Sequence, residues 1–331
     1  MPDVSFLLIA TLVATLAAEF VNGLTDAPNA IATVVSTRVL SPSLAVLMAA
    51  VLNIVGTMVT GTAVAATIGT GIVKIEVIDL PVLLAATLTV VIWSTAAWRY
   101  GIPTSESHEL VAGLAGAGLA TAGPSVLLWE GWKKVLIGLG FSTFLGFFLG
   151  MAVMTSLYWI LRRTSLSSIR GVFSRLQIPS AGFMAFSHGS NDGQKFMGIF
   201  TTALVKGGIL AYFAVPVWVM LLCGTVMGIG TAFGGWRIIR TMGFKITKLE
   251  PVNGFAAEIS GASAILLASR FGIPLSTTHC IGTAIMGVGA TRRFSAVRWG
   301  IARNIVMTWI VTFPVCAALG WVIASLLKLA F

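Results

Sequence analysis

Charged residues are scarce in this chain of 331 residues, since aspartate, glutamate, lysine and arginine together make up only 10% of it. Soluble domains contain about 25% charged residues, so this composition cannot cover a water-facing surface. Cytosolic enzymes, secreted scaffolds and disordered chains are thereby excluded. Apolar residues make up 57% of the sequence, and its 36 glycines suit closely packed membrane helices. The composition predicts an all-α polytopic membrane protein.

Cysteine and histidine are also rare, with three residues of each. The cysteines lie in apolar stretches without paired spacing, which excludes a disulfide framework and a structural zinc site. The histidines all fall in repeated motifs, where we interpret them as hydrogen-bonded side chains rather than metal ligands. The net charge of +10 fits lysine and arginine collecting in cytoplasmic loops, so nucleic acid is not an expected partner.

The apolar residues form ten segments. Eight are long enough to approach the roughly 20 residues of a membrane-spanning helix: 4–37, 42–60, 80–98, 134–160, 180–205, 208–232, 252–269 and 297–327. Two more, 101–121 and 272–291, open with Gly-Ile-Pro and predict broken helices or re-entrant hairpins. The first segment contains Asn22, Asp26 and Pro28, which predict a break at membrane depth; such breaks are tolerated where they are buried in protein.

Two pairs of motifs recur in the same order in the two halves of the chain. Residues 20–26 match 186–192, and residues 99–108 match 270–279. We predict a first transmembrane repeat over 1–161, a basic cytoplasmic linker over 162–179 and a second repeat over 180–331. Five segments in each half would insert the second half upside down. Inverted repeats with interrupted helices are typical of secondary transporters.

Two aspartates, Asp26 and Asp192, lie in the repeated polar motif within apolar surroundings. A carboxylate at membrane depth is costly unless it is paired or faces water. Grouped with amides and carbonyls, it offers hard oxygen ligands to a small cation. The sequence therefore predicts a cation site from Asp26, Asn29, Asn191 and Asp192. Hydrogen bonding between packed helices is the alternative interpretation, above all for Glu19 and Glu258.

Each Gly-Ile-Pro motif leads through hydroxyl side chains into a helix of small residues. The free amides and the dipole at a helix N-terminus attract anions, so two such helices meeting head to head would bind an oxyanion. The predicted ligands are Thr104, Ser105, Ser107, Ser276, Thr277 and Thr278, with Gln194 from the second polar motif. Simple capping of the two helices is the alternative.

With these motifs the chain resembles the inorganic phosphate transporter (PiT) family. The resemblance rests on residues 22–30 and 188–195, on the two hairpin motifs and on 254–258, and it spans essentially the whole chain. It implies a multi-pass plasma-membrane protein, often a homodimer, that takes up phosphate with a cation and needs no cofactor. Two residues depart from the family pattern: Thr25 stands where asparagine is usual, and Glu106 where serine is common.

We therefore expect import of inorganic phosphate by symport with Na⁺ or H⁺. A carboxylate beside an anion site repels phosphate unless it is protonated or bridged by a cation, so Glu106 favours proton coupling or uptake of a metal–phosphate complex. Glu258 and Lys195 are further coupling candidates, and Lys195 could instead neutralise Asp192 or meet the anion. Beyond the coupling cation no metal is expected.

Three alternative functions follow from the same residues. Related family members carry sulfate, so sulfate or another oxyanion is the alternative substrate. An intramembrane aspartyl protease could use Asp26 and Asp192 as its acid–base pair. The sequence lacks the Gly-x-Gly-Asp motif expected of such enzymes, and the hydroxyl-rich hairpins would be unexplained, so we do not expect an enzyme. A passive channel is the third alternative.

The basic residues predict the orientation of the chain in the membrane. If the ten segments alternate and the linker is cytoplasmic, 14 lysines and arginines lie inside and 6 outside, with both termini outside. A single cysteine at Ser167 on a cysteine-free background should therefore resist an impermeant thiol reagent in intact cells and react after permeabilisation. Labelling of Ser167→Cys in intact cells would contradict the predicted orientation.

Overall fold

The computed structural model describes residues 5–330, and this part of the chain contains twelve α-helices and no named β-strand. The first half holds α1 (Phe6–Ser36), α2 (Pro42–Val59), α3 (Ala63–Thr70), α4 (Leu80–Tyr100), α5 (Glu106–Ala122) and α6 (Trp129–Leu161). The second half holds α7 (Leu166–Lys206), α8 (Val217–Phe233), α9 (Trp236–Arg240), α10 (Pro251–Arg270), α11 (Thr277–Arg292) and α12 (Trp299–Ala330). The predicted all-α class is confirmed.

Length and hydropathy identify the membrane-crossing elements. Within residues 5–330, six helices are long and apolar enough to cross: α1, α2, α4, α6, α10 and α12. A seventh candidate joins α8 to α9 and the π-helical turn Thr241–Lys245, with a bend of 61° between them. Helix α6 has 33 residues and is therefore about 50 Å long, more than the hydrocarbon core requires.

The two halves pack into each other rather than side by side. Helix α1 packs on α8 while its repeat equivalent α7 packs on α2, and α5 packs on α12 while α11 packs on α6. Each of these contacts joins the two halves, and each has its counterpart with the roles of the halves exchanged. This reciprocal arrangement is what two inverted repeats of one sequence produce, as the motif order predicted.

Glycines allow these helix pairs to approach backbone to backbone. A Cβ atom on Gly23 of α1 would lie 2.1 Å from the carbonyl oxygen of Met227 in α8, and one on Gly189 of α7 would lie 2.2 Å from that of Asn53 in α2. On Gly116 of α5 it would lie 1.9 Å from the carbonyl oxygen of Ala317 in α12. Small residues at such contacts are the usual means of close packing between membrane helices.

Both Gly-Ile-Pro segments form buried turns between packed helices, which confirms the predicted hairpins α4–α5 and α10–α11. Each turn docks on the short helical segment of the other half. Thr67 of α3 donates to the carbonyl of Gly272 (2.8 Å), and Thr241 donates to that of Gly101 (2.9 Å). The turns of both hairpins therefore lie inside the protein.

The interruption predicted in the first segment is in the wrong place. Helix α1 runs unbroken through Asn22, Asp26 and Pro28. Asn22 donates to Glu19 in the same helix and Asp26 accepts from Thr278 of α11, so neither polar side chain competes with the backbone hydrogen bonds. Most of the predicted linker 162–179 is helical, since α7 begins at Leu166. The interruptions fall instead between α2 and α3 and between α8 and α9, where Gly61 and Gly234 adopt positive φ.

The contact of α5 with α12 provides a stability test. Gly116→Val should lower the melting temperature by several degrees, because overpacking against a rigid backbone costs about 1–3 kcal/mol. Gly140→Val in α6 is the matched control, since no atom lies within 4 Å of its added Cβ. Equal melting temperatures for the two variants would contradict the close contact.

Candidate functional site

The two predicted aspartates meet at the centre of the molecule, where α1 and α7 face the start of α11. The hydroxyl of Thr277 lies 3.3 Å from Oδ2 of Asp26 and 3.0 Å from Oδ2 of Asp192. Thr278 donates to Oδ1 of Asp26 over 2.9 Å. Both aspartates are buried, at 4% and 0% exposure. The second hairpin therefore binds directly to both repeats of the polar motif.

Of the two predicted asparagines, Asn29 lies in this cluster and Asn191 lies at its edge. Asn29 donates to the hydroxyl oxygens of Thr277 (3.2 Å) and Thr278 (2.9 Å). Asn191 donates to Oγ of Ser269 over 2.9 Å. The amide oxygens of both asparagines are buried and have no hydrogen-bond partner among residues 5–330. Each thus offers a hard oxygen ligand.

His188 faces both aspartates, a contact that the sequence interpretation missed. Its Nδ1 lies 3.2 Å from Oδ1 of Asn53, and the amide of Asn53 donates to Thr231, so Nδ1 carries the hydrogen. In the neutral ring Nε2 then presents a lone pair 3.9 Å from Oδ2 of Asp26 and 3.5 Å from Oδ2 of Asp192. These three atoms lie within 4.8 Å of one another, a ligand set for a cation.

The sequence left open whether Lys195 pairs with Asp192 or meets the anion. Its ammonium nitrogen lies 2.6 Å from Oδ1 of Asp192, and both side chains are fully buried. Its direct partner is therefore Asp192. Asp26, the repeat equivalent of Asp192, has no lysine or arginine within 4 Å in the described part of the chain.

Glu106 lies in the same cluster and is 1% exposed. The hydroxyl of Thr25 donates to its Oε1, and the Asp26 carboxyl contacts it. The two departures from the family pattern, Thr25 and Glu106, are thus in direct contact. Neither Arg99 nor Lys195 forms an ion pair with Glu106, and its side chain does not face solvent.

A fourth carboxyl group, Glu109, was missed from the sequence. Ser94 donates to Oε2 of Glu109 and lies 3.4 Å from Oε1 of Glu106, so one hydroxyl touches both glutamates. An acid one helical turn after Glu106 in an apolar segment was the available signal. The predicted anion ligand Thr104 is buried, at 3% exposure, beside these carboxyl groups.

The starts of α5 and α11 meet head to head, as the hairpin motifs predicted. Ser107 donates to the carbonyl of Leu275 over 3.0 Å, and the rings of His108 and His279 contact edge to face at 4.6 Å. The first amides of each helix have no intrahelical acceptor. The hydroxyl of Ser105 is buried without a partner among the described residues. Two positive helix ends and a free hydroxyl thus face one region.

Trp309 positions the two hairpins, which its sequence context did not indicate. Its indole nitrogen donates to the carbonyl of Pro103 in the first turn over 3.1 Å. Its ring stacks on His279 of the second hairpin at a centroid distance of 3.6 Å. One buried side chain of α12 therefore contacts both hairpins.

Three predicted site residues serve other contacts. Ser276 caps α11 by accepting from the amide of His279 (3.2 Å). Gln194 accepts from the amide of Val64 (2.9 Å) and so caps α3 outside the central cluster. Glu258 lies in a separate buried cluster, where Thr33 (2.5 Å), Gln177 (3.0 Å) and Ser180 donate to its carboxylate.

Comparison with known proteins shows the family of the chain. The profile of the phosphate transporter family matches residues 22–169 and again residues 162–320, so the two matches meet where α7 begins. A probable low-affinity inorganic phosphate transporter of Rhizobium meliloti is 45% identical over 315 residues, which cover 95% of this chain and 94% of the relative. One of Bacillus subtilis is 41% identical over 328 residues, covering 98% of each chain.

A solved structure shares the fold. The sodium-dependent phosphate transporter superposes with a TM-score of 0.83 and 26% identity, covering 99% of this chain and all of that one. The two family matches together span residues 22–320, and the relatives are transporters rather than enzymes. This chain is a multi-pass plasma-membrane protein of the phosphate transporter family.

Proposed function

We propose that this protein imports inorganic phosphate by symport with H⁺ or Na⁺, using the central cluster for both substrates. One observation carries the proposal: the predicted anion donors Thr277 and Thr278 bond directly to the predicted cation ligand Asp26. A cation bound at Asp26 would change the charge and the hydrogen bonding of the groups that meet phosphate. Binding of the two substrates is thereby linked.

The charge of the cluster requires such linkage. Four carboxyl groups, Asp26, Glu106, Glu109 and Asp192, lie buried around one lysine, Lys195. Phosphate entering beside several carboxylates would be repelled at the low dielectric of a buried site. Protons or metal cations that neutralise the carboxylates remove this repulsion, so phosphate binds together with them.

Two places in the cluster suit different cations. Asp26 and Glu106 are in contact, and carboxylates only accept hydrogen bonds, so a proton between them favours the pair. Asp26, His188 and Asp192 present three ligand atoms to a metal cation. We assign the proton to the first place, and Na⁺ or the metal of a metal–phosphate complex to the second, with Asn29 and Asn191 as nearby oxygen ligands. Sulfate remains the alternative anion.

The anion donors can be tested against simple helix capping. Ser105→Ala and Thr277→Ala should each raise the half-saturation concentration for phosphate about tenfold to more than a hundredfold, because a lost hydrogen bond to a charged group costs about 1.5–3 kcal/mol. Uptake of labelled phosphate and sulfate into proteoliposomes gives the values. Ser276→Ala, which removes only a cap, should lower the melting temperature and leave the affinity unchanged. The same behaviour in Ser105→Ala and Thr277→Ala would exclude both from the anion site.

The coupling role of Glu106 can be tested by pH. If Glu106 must be protonated for phosphate to bind, uptake should fall with rising external pH more steeply than the ionisation of phosphate explains. Glu106→Gln, which mimics the neutral acid, should flatten that excess dependence. Exposed Glu130→Gln is the control and should keep the wild-type profile.

The measurement is the initial rate of uptake against pH, under separately imposed Na⁺ and H⁺ gradients, with divalent metals absent and then present. If the pH profiles of wild type and Glu106→Gln superimpose in all conditions, Glu106 does not carry the coupling proton. Uptake driven by the Na⁺ gradient alone would then identify Na⁺ as the coupling ion.

A further inference from the structure

A large cavity opens far from the central cluster, at the end of the molecule where α6 ends and α7 begins. Its volume is about 1630 Å³. The walls come from both halves of the protein, because they include the ends of α1, α6 and α11 and the starts of α7 and α10. The positive-inside rule places this end of the molecule in the cytoplasm.

The cavity concentrates positive charge. Seven of the chain's 21 lysines and arginines line it. Arg162 and Arg170 come from the α6–α7 connection, and Lys248 precedes α10. The ends of α1 and α11 supply Arg38, Arg292 and Arg293, and Arg298 precedes α12. Glu250 is the one acidic residue that lines the cavity in residues 5–330, and its carboxylate caps α10.

These basic groups are not neutralised by the protein. None of the seven has a carboxylate within 4 Å in the part of the chain that the structure describes. All seven are exposed to solvent, so their charges are available to a ligand. The positive-inside rule accounts for basic residues on this face, but it does not account for their collection around one cavity. Together they attract anions into the cavity.

Arg38 shows that one of these positions is held at a cost. It follows α1 with φ of +61°, the left-handed conformation in which helices usually end on glycine. Among non-glycine residues of the described chain it is alone in having positive φ. A residue with a Cβ atom is strained in this region, whereas glycine is not. The chain therefore keeps a guanidinium at the cavity where glycine would be more stable.

We propose that this cavity binds a phosphate-bearing anion with several negative charges, at a site separate from the transported phosphate. Guanidinium groups bind phosphate oxygens in bidentate fashion, and six of the seven lining cations are arginines. The volume exceeds that needed for orthophosphate, and the surplus of six positive charges favours a polyvalent ligand. A bound anion contacts elements of both repeats and stabilises their present arrangement.

Binding of tripolyphosphate to the full-length protein in phosphatidylcholine nanodiscs tests this site. Calorimetry at low salt should show saturable binding that weakens steeply as salt is added. Saturating tripolyphosphate should also raise the melting temperature, because a ligand that binds the folded state stabilises it. The double variant R292Q/R293Q should bind at least tenfold more weakly. The proposal would be overturned if tripolyphosphate showed no saturable binding in phosphatidylcholine nanodiscs.

The control is the double variant R163Q/R175Q, which removes the same charge from exposed arginines that do not line the cavity. It should bind tripolyphosphate as wild type does. Equal weakening in both double variants would show that general surface charge, and not the cavity, attracts the anion. The double variant K248Q/R298Q also removes two charges from the cavity, so it tests the same site if R292Q/R293Q does not fold. Melting without ligand identifies any variant that is destabilised.

The phosphate group could also come from a lipid headgroup. Nanodiscs containing phosphatidylglycerol distinguish the sources. If the anionic lipid raises the melting temperature of wild type and of R163Q/R175Q but not of R292Q/R293Q, and blocks tripolyphosphate, the headgroup occupies the cavity. If tripolyphosphate binds equally in both lipids, the ligand is soluble. Either result supports the phosphate site.

Discussion

The burial of Asp26 and Asp192 in one cluster constrains the rest of the protein. Neither lipid nor bulk water reaches these carboxylates, so the protein must supply every donor that they need. Lys195 donates to Asp192 from the same helix. Further donors are Thr277 and Thr278, which reach the two aspartates because α11 starts inside the protein. The re-entrant hairpins, the buried turns and the glycine contacts between helices are the means by which that approach is achieved.

Repeat symmetry provides the frame of the site, and substitutions at equivalent positions make its two sides chemically different. Asp192 has Lys195 as a direct partner, whereas the equivalent of Lys195 beside Asp26 is Asn29. Glu106 stands where the second hairpin has Thr277. One aspartate is thus neutralised by the protein itself, and the other depends on a proton or a cation. This asymmetry is what lets a pseudo-symmetric site combine an anion with a cation.

Contacts between the two halves also link the central cluster to a motion of one repeat against the other. The turn of each hairpin is fixed to the short helical segment of the other half through Thr67 and Thr241. Trp309 contacts the first turn and stacks on α11 of the second hairpin. A rocking motion of one repeat against the other would therefore displace the helix ends that face the aspartates. Alternating access in proteins with inverted repeats is commonly described by such motion. The basic cavity lies between elements of both repeats and is therefore sensitive to it.

The sequence by itself determined the membrane class, the inverted repeat, the two hairpins and the pair of aspartates, because apolar periodicity and duplicated motifs are local and survive without packing. The breaks were misplaced because polar residues inside a helix open it only if tertiary partners are missing, and Asp26 has such partners. The contacts of Glu106 with Thr25, of His188 with both aspartates and of Ser94 with Glu109 join distant segments or different faces. Only the tertiary structure decided them, since burial forces each polar group to find whichever partner the packing places beside it.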